Sequence, residues 1–180
     1  YDPASRSWWV MRGSAAGLAT PASNTQAGAD SDAARALSTD LDGDGRREVL
    51  VPQGGHWHWL RQASSGGYAF GSTGIPVATT TSSAQAADVD GDGRDDVFLR
   101  SAAGDALRWR RSLASAGNAA FAAEQALWMV SGGWRLAESP FIQATQRSRS
   151  AIRTADFNDD GRADLMVLTV PYGCSANCAT

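Results

Sequence analysis

The stretch "DVDGDGRDD", residues 88–96, places five carboxylates in nine positions. The stretches "DLDGDGRRE" (40–48) and "DFNDDGRAD" (156–164) repeat it. Aligned, the three read acid, any, Asp/Asn, Gly/Asp, Asp, Gly, Arg, any, acid. Like charges this close repel one another, and the chemistry that suits them is the binding of a hard cation. Calcium takes six to eight oxygen ligands, and short Asp or Asn side chains at alternate positions can wrap one ion. Position 6 is Gly45, Gly93 and Gly161, where a sharp turn with φ > 0 is expected. Position 7 is always Arg. An Arg side chain has no acceptor, so only its carbonyl can be a ligand, and the guanidinium is expected to point into solvent. An EF-hand would need a bidentate Glu at position 12. Here that position is Val51, Leu99 and Val167, and the last acid stands at position 9. The runs that follow, "VLV", "VFL" and "LMVL", favour strand. The pattern predicts metal-binding turns between two strands, not helix-flanked loops.

The charge distribution supports this reading. The formal net charge is −3, but 13 of the 19 acids lie in the three turns. The rest of the chain carries 12 Arg against 6 acids, about +6. Three bound calcium ions would bring the whole to about +3. An acidic solubilising tail would not be divided into three Gly-punctuated clusters. Every basic residue is Arg, which with abundant Ala and Gly suggests GC-rich coding and hence a bacterial source.

The elements that must hold these turns also repeat. "SWWVMR" (7–12), "HWHWLR" (56–61) and "ALRWRR" (106–111) align on Arg12, Arg61 and Arg111. Trp8, Trp57 and Leu107 then fall in register, two residues before Val10, Trp59 and Trp109. Period-2 alternation marks strands with their large apolar side chains on one face. Each repeat reads strand, acidic turn, strand, Gly-rich turn, Trp strand, Gly/Ala-rich turn, weaker fourth strand. In the middle copy the fourth strand is expected within 121–130. Four strands in about 48 residues describe a propeller blade.

On these residues the chain resembles the FG-GAP/VCBS repeats of integrin α-subunit propellers and of many secreted bacterial proteins. Their signature is similar to D-x-[DN]-x-[DN]-G-x-x-[DE]. The resemblance implies calcium as cofactor, two or three ions, bound in the turn between a blade's first two strands. Carried over by position, turn one would use Asp40, Asp42, Asp44, the Arg46 carbonyl and Glu48. Turn two would use Asp88, Asp90, Asp92, the Arg94 carbonyl and Asp96. Turn three would use Asp156, Asn158, Asp160, the Arg162 carbonyl and Asp164. Turn three departs from the pattern, with Asn158 lowering its charge and Asp159 in place of Gly at position 4, so weaker binding is expected there.

The expected fold is all-β, an arc of a β-propeller with four-stranded antiparallel blades and calcium-binding turns. Residues 1–29 read as the last strands of an incomplete blade. Residues 30–82 and 83–130 read as the blades with turns one and two, 131–150 as an insertion loop, and 151–180 as the first strands of an incomplete blade with turn three. An arc implies the rest of a larger propeller. No signal peptide is visible at Tyr1, as expected of a mature chain or an excised fragment. No run of about 18 apolar residues occurs, and no membrane span is expected.

Other candidate sites have simpler explanations. His56 and His58 share a strand face but lack a third ligand, and read as strand residues opposite Trp57 and Trp59. "RWRR" (108–111), with Arg100, has the ingredients of a nucleic-acid site. Alternation explains it as a solvent face with Trp109 turned inward, and no nucleic-acid partner is expected. Trp9 and Trp134 fall outside the Trp register and are the candidates for exposed contacts. Cys174 and Cys178 suit a local disulfide or two thiols better than zinc.

No Gly-x-Ser-x-Gly elbow, P-loop or Cys/His pair is present. Acid–base hydrolysis needs one carboxyl kept protonated, whereas calcium would hold these ionised. The chain is therefore not expected to be an enzyme. The resemblance implies a recognition or scaffold surface, with a protein or glycan partner, in a secreted or cell-surface protein. Two alternatives are a structural propeller part of a Tc/RHS-class bacterial toxin and a glycan-binding module of a secreted enzyme.

Overall fold

The computed structural model describes residues 4, 8–20, 22–24, 36–63, 68–77, 84–101, 105–114, 119–136, 152–167 and 169–171. All the regular elements among them are strands. β1 (Trp8–Val10) is followed by a small hairpin of β2 (Gly13–Ser14) and β3 (Gly17–Leu18). β1 then pairs antiparallel with β4 (Ala22–Asn24).

Two full blades follow. The first is a four-stranded antiparallel sheet of β5 (Leu37–Thr39), β6 (Glu48–Gln53), β7 (His56–Gln62) and β8 (Tyr68–Pro76), in chain order. The second repeats it with β9 (Ala84–Ala87), β10 (Asp96–Arg100), β11 (Ala106–Arg110) and β12 (Gln125–Met129). β12 falls within the expected 121–130. The fourth strand of blade one, expected to be weaker, is instead nine residues long, and Trp59 lies across it at Gly71. A Cβ at Gly71 would stand 2.6 Å from the Trp59 ring, so only Gly lets that strand pass under the indole.

The third blade corrects the reading of 131–150 as a loop. Trp134–Leu136 is a strand, β13, and Leu136 is fully buried. β14 (Ile152–Ala155) pairs with β15 (Asp164–Val167), while β13 pairs with β16 (Thr169–Pro171). Ile152 faces Val167 and Leu136 faces Thr169. Partners sixteen positions apart in sequence thus stand opposite residues two apart. The strands β15 and β16 thus take their partners from two separate stretches of the chain. No hydrophobic period announced this, because three residues carry too little pattern to read. Residues 137–150, Cys174 and Cys178 lie outside the described residues.

The first strands stand side by side, with β9 against both β5 and β14, as in the inner ring of a propeller. The core lies between blades. β10 is buried along its whole length, and alternation divides its side chains between two clusters. Val97 and Leu99 join Leu50, Trp57, Ile75 and Leu41 of blade one. Phe98 points the other way, joining Leu107, Leu136 and Ile152 toward blade three. Each such fully buried side chain contributes about 1.5–3 kcal/mol, and these contacts hold the blades face to face. The chain is an all-β arc of a β-propeller, as its repeat predicted.

Candidate metal centre

Each acidic stretch joins the first two strands of its blade: β5 to β6, β9 to β10, and β14 to β15. The turns share one backbone frame. The position-1 carboxylate reaches over the turn and accepts the N–H of the position-6 Gly: Gly45 to Asp40 at 3.0 Å, Gly93 to Asp88 at 2.9 Å, Gly161 to Asp156 at 2.8 Å. The position-5 carboxylate accepts the position-7 N–H: Arg46 to Asp44, Arg94 to Asp92, Arg162 to Asp160. These bonds draw short acidic side chains inward. The position-6 glycines have φ of 80°, 85° and 82°, the left-handed conformation expected of them.

Turns one and two bring three carboxylates together. Oxygens of Asp40, Asp42 and Glu48 lie within 4.8 Å of one another, and so do those of Asp88, Asp90 and Asp92. The sets are not equivalent. Glu48 joins the cluster in turn one, where its Oε2 accepts the Leu41 N–H at 2.9 Å. Burial pushes the Glu48 carboxyl up, the Leu41 N–H draws it down, and Asp42, Asp40 and Asp44 add repulsion. Asp44 stays outside that triad. In turn two it is Asp96 that stays outside. Its Oδ1 accepts the buried Ser112 N–H at 2.8 Å. Burial pushes Asp96 up to about 6, against the Ser112 N–H and Trp109 and reinforced by Asp90 and Asp92. The Trp109 indole is near enough to lower the value, yet Trp109 Nε1 and Asp96 Oδ2 are both buried without a completed hydrogen bond.

Turn three forms no such triad among the described residues. Asn158 stands where the others have an acid, and its amide donates to Asp160 at 3.1 Å. Asp164 Oδ2 accepts the Phe157 N–H, as Glu48 does with Leu41. Backbone N–H groups, led by that of Gly161, hold Asp156 below the usual carboxylate range. Asp159 takes the left-handed conformation of the glycine it replaces, with φ of 61°.

The position-7 arginines do not all point into solvent. Arg94 pairs with its own turn's Asp92, and its stem lies against Gly43 of turn one. Arg162 lies likewise against Gly91.

The repeat alignment found Arg61 and Arg111 but not their role. Arg61 stacks over Trp59 and reaches Asp42 Oδ2 at 3.5 Å. Arg111 reaches Asp90 Oδ2 at 2.5 Å and Asp92 Oδ2 at 3.1 Å. Despite burial, the N–H groups of Arg94 and both guanidinia keep Asp92 low. The constant place of these arginines, two residues after an in-register Trp, was the available signal. The other arginines of "RWRR", Arg108 and Arg110, pair with Glu124, and Arg100 is buried with its Nε on the Leu136 carbonyl. His58 stacks on Phe70 with ring centroids 5.0 Å apart. Trp9 is half exposed, as expected; Trp128, not singled out beforehand, is also exposed.

A small cleft beside turn one is lined by Asp42, Glu48, Trp59, Arg61 and Ala114.

Fold and turn geometry define a β-propeller arc with acidic turns. Residues 40–99, about a third of the chain, match the family model of the FG-GAP-like repeat. That span begins at the first acid of turn one and ends in β10, so it takes in both carboxylate triads. No curated protein and no solved structure matches the chain.

Proposed function

We propose that turns one and two bind calcium and that the chain is a non-catalytic recognition or scaffold module of a secreted or surface-exposed protein. The observation that carries this is the meeting of three carboxylates in each of two turns. Buried Asp96, with an oxygen that lacks a partner, is what a cation-free donor set would leave behind. The all-oxygen donors suit a hard cation. Asp40, Asp42 and Glu48 would hold it in turn one, with Asp44 and the Arg46 carbonyl at the same turn. Asp88, Asp90 and Asp92 would hold it in turn two, with the Arg94 carbonyl and Asp96 completing the set. Turn three offers Asp156, Asn158, Asp160, the Arg162 carbonyl and Asp164, one charge fewer along the alternating positions.

Calcium supplies positive charge that neutralises crowded carboxylates. The backbone frame does the rest, since Gly-turn N–H groups already aim the acids inward. Binding to the folded form alone stabilises it by mass action. Millimolar extracellular calcium matches sites of modest affinity, which is the basis for the extracellular assignment. The partner is a protein or a glycan, and the parent is an adhesin, a secreted enzyme or a Tc/RHS-class toxin.

The test is calorimetric titration with calcium, with thermal melts in calcium and in EDTA, on the wild type and Asp90→Ala. Two or three ions and a melt lowered by EDTA are expected, with one ion fewer in the variant. No heat and no shift would refute the calcium assignment. A glycan array on the loaded chain separates glycan recognition from a purely structural role.

A further inference from the structure

The acidic turns are joined to one another. Asp95 occupies position 8 of turn two, between Arg94 and Asp96, and is buried. It holds Asp40, position 1 of turn one, from both sides. The Asp95 N–H donates to the Asp40 carbonyl at 2.7 Å, and the Asp40 N–H donates to Asp95 Oδ2 at 2.9 Å. Arg47 of turn one donates to the same Oδ2 at 2.9 Å. The backbone half of this link recurs one blade on, where the Ala163 N–H donates to the Asp88 carbonyl at 2.8 Å. Ala163 has no carboxylate with which to make the other half. The packing recurs too. A Cβ on Gly43 would stand 3.1 Å from the Gly93 carbonyl oxygen, and one on Gly91 would stand 3.2 Å from Arg162 Nε.

We propose that turns one and two bind calcium as a coupled pair, with Asp95 as the positioning residue that couples them. This rests on the calcium reading above. Asp95 lies between two ligand positions of turn two and bonds both main-chain groups of a ligand residue of turn one. Ordering turn two orders Asp95, which orders Asp40. Turn one then binds with less conformational entropy left to lose, and linkage makes the effect reciprocal. Direct electrostatics has the opposite sign, because an ion in one turn repels an ion in the next. Positive coupling is therefore diagnostic of the link. Turns two and three share only the backbone half, so they couple more weakly.

The experiment is calcium calorimetry on the full chain with turn three disabled by Asp160→Ala. Adding Asp90→Ala leaves turn one alone, and adding Asp42→Ala leaves turn two alone. The two-ion constant is expected to exceed the product of the two single-turn constants by about fivefold or more, the lower range of allosteric couplings. Asp95→Ala, which leaves only the backbone half of the link, is expected to lower that ratio toward one. Asp95→Asn, which keeps an acceptor for the Asp40 N–H, is expected to retain it and guards against a folding defect in the Ala variant. A ratio of one or below with Asp95 present, or a ratio unmoved by Asp95→Ala, would overturn the coupling while leaving calcium binding intact. Absence of heat in every chain would instead overturn the calcium reading, and the coupling with it.

Discussion

Neutralising Asp96 is expected to stabilise the calcium-free chain and destabilise the calcium-loaded one. The Asp96 carboxyl is fully buried, and its pKa is pushed from 3.8 up to about 6. At about 1.36 kcal/mol per unit, that shift is worth up to about 3 kcal/mol against folding once the group is ionised. The unfolded carboxyl ionises near 3.8 and the folded one near 6. Between those values the folded state holds the extra proton, so stability falls as pH rises through the window. The penalty is fully present above about pH 6 and absent below about pH 4. Asp96→Asn removes the charge and keeps an acceptor for the Ser112 N–H. Its amide would also set a second donor near the Trp109 indole, so the net gain is expected to be about 1–2 kcal/mol, not the full 3. The assay is urea unfolding in EDTA at pH 7 and pH 4, repeated in saturating calcium at pH 7. The variant should be the more stable in EDTA at pH 7 and the less stable by about 1–2 kcal/mol at pH 4, where only the donor conflict remains, and the pH 7 order should invert in calcium. A variant less stable than wild type in EDTA at pH 7 would refute the electrostatic account of this buried acid.

Replacing Arg111 with Met should tighten calcium binding at turn two several-fold by calorimetry, since the ion no longer competes with a guanidinium held on Asp90 and Asp92. Arg61→Met should do less at turn one, where the contact is a single one at 3.5 Å. Gly43→Ala should destabilise more than Gly45→Ala in thermal melts. Both residues have left-handed φ, worth roughly 1–2 kcal/mol to a side chain, but only the Cβ at 43 meets the neighbouring turn. Phe98→Ala should cost about 3–5 kcal/mol in urea unfolding, because it empties the centre of the core between blades two and three.

What could be read from the residues was local. Nine-residue acidic spacing gave the turns, the glycine conformations and their place between strands, because each depends on neighbours in the chain. Alternation around Trp57, Trp59 and Trp109 gave the third strands for the same reason. Asp95 was invisible as a contact to Asp40, since 55 positions separate them and only the docking of blades brings them together. Arg61 and Arg111 sat in plain register but were aligned as punctuation, because strand alternation says which face a residue takes and not what waits beyond its end. The unequal triads, with Glu48 in one and Asp92 in the other, were also beyond reach. Identical spacing hides a difference of one methylene at position 9, which sends Glu48 into its cluster and leaves Asp96 on Ser112.

The strands β15 and β16 draw their partners from two separate stretches of the chain, so the far end of the arc has two independent fastenings. Leu136 and Ile152 are each anchored in the same core, and each makes its own strand pairing. The far end of the arc is thus pinned at two points, and loosening one pairing leaves the other still seated in the core.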